Sequence, residues 1–261
     1  YDRAYRRLEM RCLCSPAWRF VGVSRAVRED LLSCGGGFSE SNVRQINNAI
    51  DIRRAEALQH TRAQARELLG LPADAWVFGT IGRLVPVKGH IHLLQAFALL
   101  KDEYPQALLA IIGEGRSRAE LEAAIQDRGL QGRVWLLGAK DDALQYVRAF
   151  DAFVMPSLSE GLPLALLEGM SARLPVLGSD IDSLRPILED CGGRTFPVAQ
   201  APALAEQLRA LLNLSAESLV AEGEQAYAYL CRAHSIEAFR RQYRELLEQM
   251  LSDAGVEIGH E

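Results

Sequence analysis

A nearly apolar segment, residues 159–170 (SEGLPLALLEGM), carries two glutamates, Glu160 and Glu168, with seven residues between them. A buried carboxylate without a partner is costly or takes up a proton. A helix that served only the core would therefore favour apolar residues at both positions. The two carboxylates are accordingly candidates for binding a polar ligand.

The residues between the glutamates predict a turn followed by a helix. Gly161 lets the backbone turn sharply, and Pro163 is favoured as the first residue of a helix. The amides of residues 161–164 are then free to donate to an anion or a hydroxyl group. Glu168 interrupts this apolar helix, and one alternative is an ordinary surface position, which is common for glutamate. The other alternative is a buried carboxylate that accepts from paired hydroxyl groups, such as those of a ribose.

Two cations, Arg83 and Lys88, lie five residues apart in the segment GRLVPVKG, residues 82–89. Arginine offers a planar fork of donors and lysine a point charge, so the pair suits a diphosphate. The alternative is two solvated surface charges. Lys88 is one of only three lysines in the chain, which makes it a candidate for a specific role.

Other motifs give weaker signals. Gly113-Glu114-Gly115 predicts a turn that lines a crevice, but it lacks the third glycine of a dinucleotide-binding fingerprint. His90 and His92 lie two residues apart at a helix start and cannot share a face, which argues against a joint metal site. No serine stands in a nucleophile elbow, and no lysine has a setting that indicates an imine. We therefore expect neither a metal ion nor a cofactor.

From residue 76 onward, short apolar runs alternate with longer amphipathic ones, which is typical of a parallel sheet covered by helices. We predict strands at residues 77–81, 108–112, 134–137, 152–155, 176–178 and 195–196, and helices near residues 90–101, 118–128, 141–149, 163–173, 183–190 and 201–212. The predicted fold class is thus α/β, a parallel sheet with helices on both faces. In such sheets ligands bind beyond the carboxyl ends of the strands. The site is therefore expected in the loops at residues 82–89, 113–117, 138–141, 156–162 and 179–183.

The two ends of the chain fall outside this alternation. We predict a helix at residues 1–14, a short strand at residues 20–23 and a helix at residues 25–34. Residues 215–250 predict two helices, the second with an apolar stripe of Phe239, Tyr243, Leu246 and Leu247. We expect this stripe to be partly uncovered, which favours an oligomer through the terminal helix.

The composition excludes several classes of protein. The chain has 261 residues, 49% of them hydrophobic, which is enough for one large domain or two smaller ones. Its net charge of −5 gives no reason to expect nucleic acid as a partner. Five cysteines without CxxC spacing indicate a reducing compartment, so we expect a cytoplasmic location. No apolar run is long enough to span a bilayer, and Tyr1 in place of an initial methionine indicates a fragment.

The motifs together resemble the carboxyl-terminal, nucleotide-sugar-binding half of retaining glycosyltransferases with the GT-B fold, the group called glycosyl transferases group 1. Residues 160–168 match its signature of two glutamates with seven residues between them, and residues 82–89 match its phosphate-binding segment. Weaker similarity extends over almost the whole chain and includes residues 48–51, where Ala49 replaces the usual glycine. The loop at residues 179–183 lacks the glycine pair often found in the family.

The resemblance implies a Rossmann-like domain that binds a nucleoside-diphosphate sugar. Arg83 and Lys88 would hold the diphosphate, Glu168 the ribose hydroxyls, and Glu160 with the amides after it the transferred sugar. Because the two cations can neutralise the leaving diphosphate, such a site requires no metal, and catalysis would rest on Glu160, Arg83 and Lys88. The other residues implied in donor binding, with the base near residues 113–115 and 137–138, are Gly82, Gly113, Gly115, Leu137, Gly138, Gly161, Leu162, Pro163 and Leu164.

The resemblance also implies a division of the chain. Residues 1–50 would be a remnant of the amino-terminal acceptor domain, residues 51–234 the nucleotide-sugar-binding domain, and residues 235–261 a cross-over helix and tail. The implied acceptor is a glycan, a lipid-linked sugar or another molecule of cell-surface polysaccharide synthesis, with peripheral association at the inner face of the membrane through the missing domain. We expect the isolated chain to be inactive without the full acceptor domain. Two alternatives stay open: a non-catalytic nucleotide- or carbohydrate-binding module, and an epimerase or a pyridoxal-phosphate-dependent phosphorylase of the same fold.

Overall fold

A parallel six-stranded sheet forms the centre of the computed structural model, which describes residues 17–255. The predicted helix at residues 1–14 lies outside the described residues. The strands are β1 (Phe20–Gly22), β2 (Val43–Gln45), β3 (Trp76–Ile81), β4 (Ala107–Ile112), β5 (Val134–Leu136), β6 (Ala152–Met155), β7 (Val176–Ser179) and β8 (Arg194–Phe196). The order across the main sheet is β5-β4-β3-β6-β7-β8, and β1 pairs with β2 separately. The strand order therefore reverses between β3 and β6, which is where open parallel sheets bind ligands.

Helices connect these strands and cover the sheet. The α-helices are α1 (Arg25–Cys34), α2 (Ile52–Leu58), α3 (Arg62–Leu69), α4 (His90–Ala98), α5 (Arg118–Asp127), α6 (Leu164–Ser171), α7 (Arg185–Asp190), α8 (Ala201–Leu212), α9 (Ala216–Ala233) and α10 (Ile236–Asp253). Two 3-10 helices span Pro86–Lys88 and Ala143–Ala149. The α/β fold class predicted from the sequence is confirmed.

The core lies on both faces of the main sheet. Successive residues of β3 point to opposite sides, so Val77 belongs to one buried cluster and Phe78 to the other. All six residues of β4 are buried, as expected for a central strand with helices on both sides. The sheet is thus a fixed platform for the loops that leave its carboxyl edge.

Three short elements were not predicted, namely β2, α2 and α3. Only Ala55 is buried in α2, so this helix has almost no apolar periodicity to detect. Its signal is the cap, because the Asp51 side chain accepts from the backbone N–H of Arg54. A capping box of Thr61 and Gln64 likewise begins α3.

Several predicted details require correction. Residues 143–149 form a 3-10 helix instead of the predicted α-helix. Pro163 is the residue before α6, with an extended ψ of 123°, rather than its first residue. In the predicted apolar stripe of α10, Leu246 is buried, while Phe239 and Tyr243 are half-buried. Leu247, the fourth residue of the predicted stripe, is exposed, and so is Leu251, whereas Leu246 lines a cavity with Ile46 of the segment after β2.

The last helix packs against the first strands. Arg44 of β2 donates to Gln249 of α10 at 2.7 Å. Where α10 begins, Ser235 forms a parallel bridge with Ile50. Next to it, His234 Nδ1 lies 2.8 Å from the carbonyl oxygen of Asn48. The predicted boundaries at residues 50 and 235 therefore lie side by side, while the division into domains stays a prediction. Within residues 17–255, no helix combines the length and the apolar character needed to cross a membrane.

Candidate active site

The loops after β3, β4 and β5 are joined to one another at the carboxyl edge of the sheet. The backbone N–H of Leu84 donates to the carbonyl of Glu114 at 2.9 Å, and that of Gly113 donates to Gly138 at 2.9 Å. The structure thus brings the predicted residues Gly82, Gly113, Gly115, Leu137 and Gly138 into neighbouring loops on one edge.

Two glycines of these loops are required by close packing. Gly113 and Gly115 have φ angles of 154° and 159°, which side chains rarely permit. A Cβ atom on Gly113 would collide with the carbonyl oxygen of Gly82, and one on Gly115 with that of Leu84. The glycines of this turn therefore let the β4 loop lie against the segment that carries Arg83 and Lys88.

The side chains of Lys88 and Glu160 meet at the point where the strand order reverses. Lys88 Nζ donates to Glu160 Oε1 at 2.6 Å, although 72 residues separate them in sequence. The same oxygen accepts from Ser157 Oγ at 2.6 Å. Both charged side chains are mostly buried, with exposures of 20% for Lys88 and 10% for Glu160. This contact argues against the alternative in which Lys88 is a solvated surface charge.

Backbone contacts hold the two loops of this ion pair together. The 3-10 turn Pro86–Lys88 ends at Gly89, whose φ is 66°. Gly89 packs against the carbonyl oxygen of Pro156, and the N–H of Leu158 donates to Val87 at 2.8 Å. Sequence reasoning missed Ser157, whose signal is a small hydroxyl residue between Pro156 and Glu160 at the end of a predicted strand.

Glu168 lies on α6 as a half-buried carboxylate. Burial, followed by the nearby charge of Asp142, raises the pKa of Glu168 above its ordinary value. Among residues 17–255, no side chain forms a hydrogen bond or ion pair with this carboxylate. The structure therefore does not support the alternative of an ordinary solvated glutamate.

The segment between the two glutamates lies against the amino-terminal part of the chain. Leu162 and Pro163 are buried, and the Leu162 carbonyl accepts from Asn48 Nδ2 at 2.8 Å. Gly161 lies close to Val23. No side chain caps α6, and Leu164 at its first position is 48% exposed. The first amides of α6 are thus available as donors at the edge of the site.

Arg83 lies in the same loop as Lys88, after β3. Its side chain is exposed and lines a cavity of about 540 Å³ with Gly115 and Arg116. In the described part of the chain, this side chain forms no ion pair or hydrogen bond. Arg116, a further cation on this cavity, was not predicted.

The two histidines near Lys88 differ in their surroundings. Burial, followed by the charge of Lys88, lowers the pKa of His90 to about 4, so its ring is neutral at pH 7. His92 instead contacts Gln95 on the next turn of α4. No group of three or more His, Cys, Asp or Glu side chains within residues 17–255 is arranged to hold a metal ion. The expectation of a site without metal or cofactor stays a prediction.

The chain is similar to proteins known as glycosyltransferases. It is 32% identical over 135 residues to an uncharacterized glycosyltransferase of Methanocaldococcus jannaschii, a match that covers 52% of this chain and 33% of that protein. It is 33% identical over 140 residues to the UDP-Gal:alpha-D-GlcNAc-diphosphoundecaprenol alpha-1,3-galactosyltransferase of Escherichia coli, covering 52% and 36%. The matches thus span about a third of the length of these curated relatives.

A solved structure shares the fold. The crystal structure of Anabaena HepE in complex with UDP-glucose matches with a TM-score of 0.84 at 20% identity, covering 95% of this chain and 68% of that one. At that identity the likeness concerns the fold, which is the Rossmann-like fold of GT-B glycosyltransferases. The family model described as "Glycosyl transferases group 1" matches residues 61–229, a range that contains Lys88, Glu160 and Glu168. The chain therefore belongs to the glycosyl transferases group 1 family.

Proposed function

We propose that this chain is the donor-binding part of a glycosyltransferase that moves a sugar from a nucleoside-diphosphate sugar to a glycan or lipid-linked acceptor. The name of the E. coli relative specifies a UDP-sugar donor and a diphosphoundecaprenol-linked acceptor, and HepE was crystallised with UDP-glucose. These relatives support the class of donor and acceptor. We also propose synthesis of a cell-surface polysaccharide, with the acceptor at the inner face of the membrane.

The contact among Lys88, Glu160 and Ser157 is the observation that carries this proposal. In a nucleotide sugar, the diphosphate is bonded directly to the transferred sugar. A cation that holds the diphosphate and a carboxylate that accepts from the sugar hydroxyls must therefore lie within a few ångströms of each other. Lys88 and Glu160 meet this requirement at the strand-order reversal.

The remaining residues extend the site in both directions from this contact. We assign the ribose hydroxyls to Glu168, whose half-buried carboxylate accepts no hydrogen bond from residues 17–255. We assign Arg83 to the diphosphate and the loops at residues 113–115 and 137–138 to the base. The free amides at the start of α6 suit the oxygens of the sugar.

The proposed reaction breaks the bond between the anomeric carbon and the diphosphate oxygen. Negative charge then grows on the leaving oxygen, where Lys88 and Arg83 stabilise it. The acceptor oxygen forms the new bond to the anomeric carbon, and its proton passes to an oxygen of the nucleoside diphosphate that is released. We propose that no metal takes part and that the anomeric configuration is retained, the latter on the family resemblance.

A thermal-shift panel of UDP-, GDP- and ADP-sugars tests the donor class. A ligand that binds the folded state alone raises the Tm, and at a fixed concentration a tighter ligand raises it more. We expect one nucleoside diphosphate sugar to raise the Tm and the corresponding free sugar to have no effect. The Lys88→Ala variant should lose most of that shift, while Lys101→Ala, a matched lysine variant outside the site, should keep it. If none of the nucleotide sugars raises the Tm, the proposed function is wrong.

A further inference from the structure

A cavity of about 640 Å³ lies at the amino edge of the main sheet, opposite the edge that carries the proposed donor site. Its lining includes Trp76, which begins β3, Asp151, which directly precedes β6, and Pro175, which directly precedes β7. The six residues of β3 span about 20 Å between the two edges. The volume falls in the range of pockets that bind small molecules, roughly 300–1,000 Å³. No residue assigned to the donor site lines this cavity.

An arginine held in place by buried polar groups lines the cavity. Arg148 is half-buried, and its Nε donates to Gln59 Oε1 at 2.8 Å. Gln59 is buried and donates in turn to Ser171 Oγ at 2.8 Å. Within residues 17–255, the Arg148 side chain forms no other hydrogen bond and no ion pair. Its terminal nitrogens, Nη1 and Nη2, therefore remain as donors in the planar arrangement that matches a carboxylate.

The carboxylate of the lining is already bound elsewhere. Asp151 is the only acidic residue among residues 17–255 that lines the cavity. Its Oδ1 accepts from Arg62 at 3.0 Å, and its Oδ2 accepts from Arg66 at 2.8 Å. Oδ2 also accepts from the backbone N–H of Val77 at 2.7 Å. Two cations thus share this carboxylate, and it does not pair with Arg148.

Arg173, the third arginine of the lining, is also paired. It forms ion pairs with Glu224 and, at 3.6 Å, with Glu56, both outside the lining. Among the arginines that line the cavity, Arg148 is therefore the one without an ion pair in the described part of the chain. An anionic ligand would complete it with charge-assisted hydrogen bonds.

Apolar side chains form much of the remaining lining. Phe150 and Leu174 are buried, Trp76 is half-buried, and Val220 of α9 is 63% exposed. A ring that covered Trp76 and Val220 would remove their apolar surface from water. An aromatic ring would in addition gain from its contact with the indole. The cavity thus combines an anchored cation with walls that suit a flat apolar group.

We propose that this cavity binds an aromatic carboxylate, with the carboxylate on Arg148 and the ring against Trp76 and Val220. Such a ligand matches both parts of the lining, whereas a bare anion leaves the apolar walls in water and a neutral aromatic compound leaves Arg148 unpaired. The inference does not depend on the proposed function, because the two sites share no residue.

The test is calorimetric titration of the intact protein with 2-naphthoate and with its neutral analogue, 2-naphthalenemethanol. We expect the carboxylate to bind at least about tenfold more tightly than the alcohol. Arg148→Gln should remove most of this preference, while Arg148→Lys, which keeps the charge but not the planar fork, should keep part of it. Val220→Ser should weaken the binding of both probes about threefold to tenfold. Arg240→Gln, at an exposed position of α10, is the matched control and should change neither affinity.

Three results would overturn this site: equal binding of the two probes by wild type, 2-naphthoate affinity unchanged in Arg148→Gln or in Val220→Ser, or no detectable binding of 2-naphthoate. The Tm of each variant shows whether it is folded. If Arg148→Gln does not fold because the contact with Gln59 is lost, Val220→Ser decides, since its side chain is exposed and makes no polar contact. An aromatic acid that binds elsewhere on the protein, the donor site included, is recognised by its indifference to both changes.

Discussion

At the scale of single residues, Ser157 fixes the orientation of Glu160. Its hydroxyl donates to the oxygen that also accepts from Lys88. In Ser157→Ala the ion pair remains, but the carboxylate loses one of its two donors. We expect kcat/KM for transfer to fall roughly tenfold to a hundredfold, since a hydrogen bond to a charged group contributes about 1.5–3 kcal/mol. Nucleoside diphosphate affinity should change little.

Steady-state kinetics of the intact enzyme, together with nucleotide titration, check this expectation. Ser159→Ala is the control, because Ser159 is exposed two residues away. If kcat/KM falls equally in Ser157→Ala and Ser159→Ala, Ser157 does not position Glu160.

Glu168 should give the protein a measurable pH dependence. Burial raises the pKa of its carboxyl group in the folded state above the value of 4.5 for an ordinary glutamate. The folded state therefore loses stability as pH rises through this raised pKa, since the charged form is disfavoured there. Glu168→Gln removes the effect. The free energy of unfolding of the variant, relative to that of wild type, should therefore be higher at pH 7 than at pH 4.

Urea unfolding at the two pH values measures this difference. Glu120→Gln, an exposed position in the first turn of α5, serves as the control and should show no such gain. The same Glu168→Gln variant should bind nucleoside diphosphates more weakly. A stability difference that does not depend on pH would contradict the burial of this carboxylate.

At the scale of elements, the sequence predicts the sheet well because each of its strands is a short apolar run followed by an amphipathic helix. The six predicted strands from residue 76 onward overlap the observed β3–β8. The short elements β2, α2 and α3 were not predicted, because they bury few side chains and their sequences therefore lack apolar periodicity. The 3-10 helix Ala143–Ala149 shows that apolar spacing alone does not fix the helix type.

The turn after β4 should be sensitive to a single methyl group. In Gly115→Ala, the Cβ atom meets the carbonyl oxygen of Leu84 at a φ of 159°. We expect the free energy of unfolding to fall by more than about 2 kcal/mol, which exceeds the roughly 1 kcal/mol cost of the backbone conformation alone. Gly132→Ala is the control, since Gly132 has a φ of 72° and open space around it. Chemical denaturation measures both free energies of unfolding. If Gly115→Ala and Gly132→Ala lower this free energy equally, the close packing of the two loops is contradicted.

At the scale of the whole molecule, the site is made of contacts between distant parts of the chain. Lys88 reaches Glu160 across 72 residues, and Asn48 reaches Leu162 across 114. Local patterns cannot predict such pairs, because they depend on β3 lying beside β6 in the sheet. The roles of Lys88, Glu160 and Glu168 came from the family resemblance, and they stay proposals. The Ser157 contact emerged only from the assembled fold.

The affinity of Lys88→Ala for a nucleoside diphosphate, compared with its affinity for the nucleoside alone, tests the account most directly. Loss of a charge-assisted hydrogen bond should weaken diphosphate binding by about 1.5–3 kcal/mol. Nucleoside binding should stay close to that of wild type, because a nucleoside lacks the diphosphate that Lys88 is proposed to hold. If the variant binds both ligands with equally reduced affinity, or both as tightly as wild type, Lys88 does not hold the diphosphate and the proposed donor site is wrong.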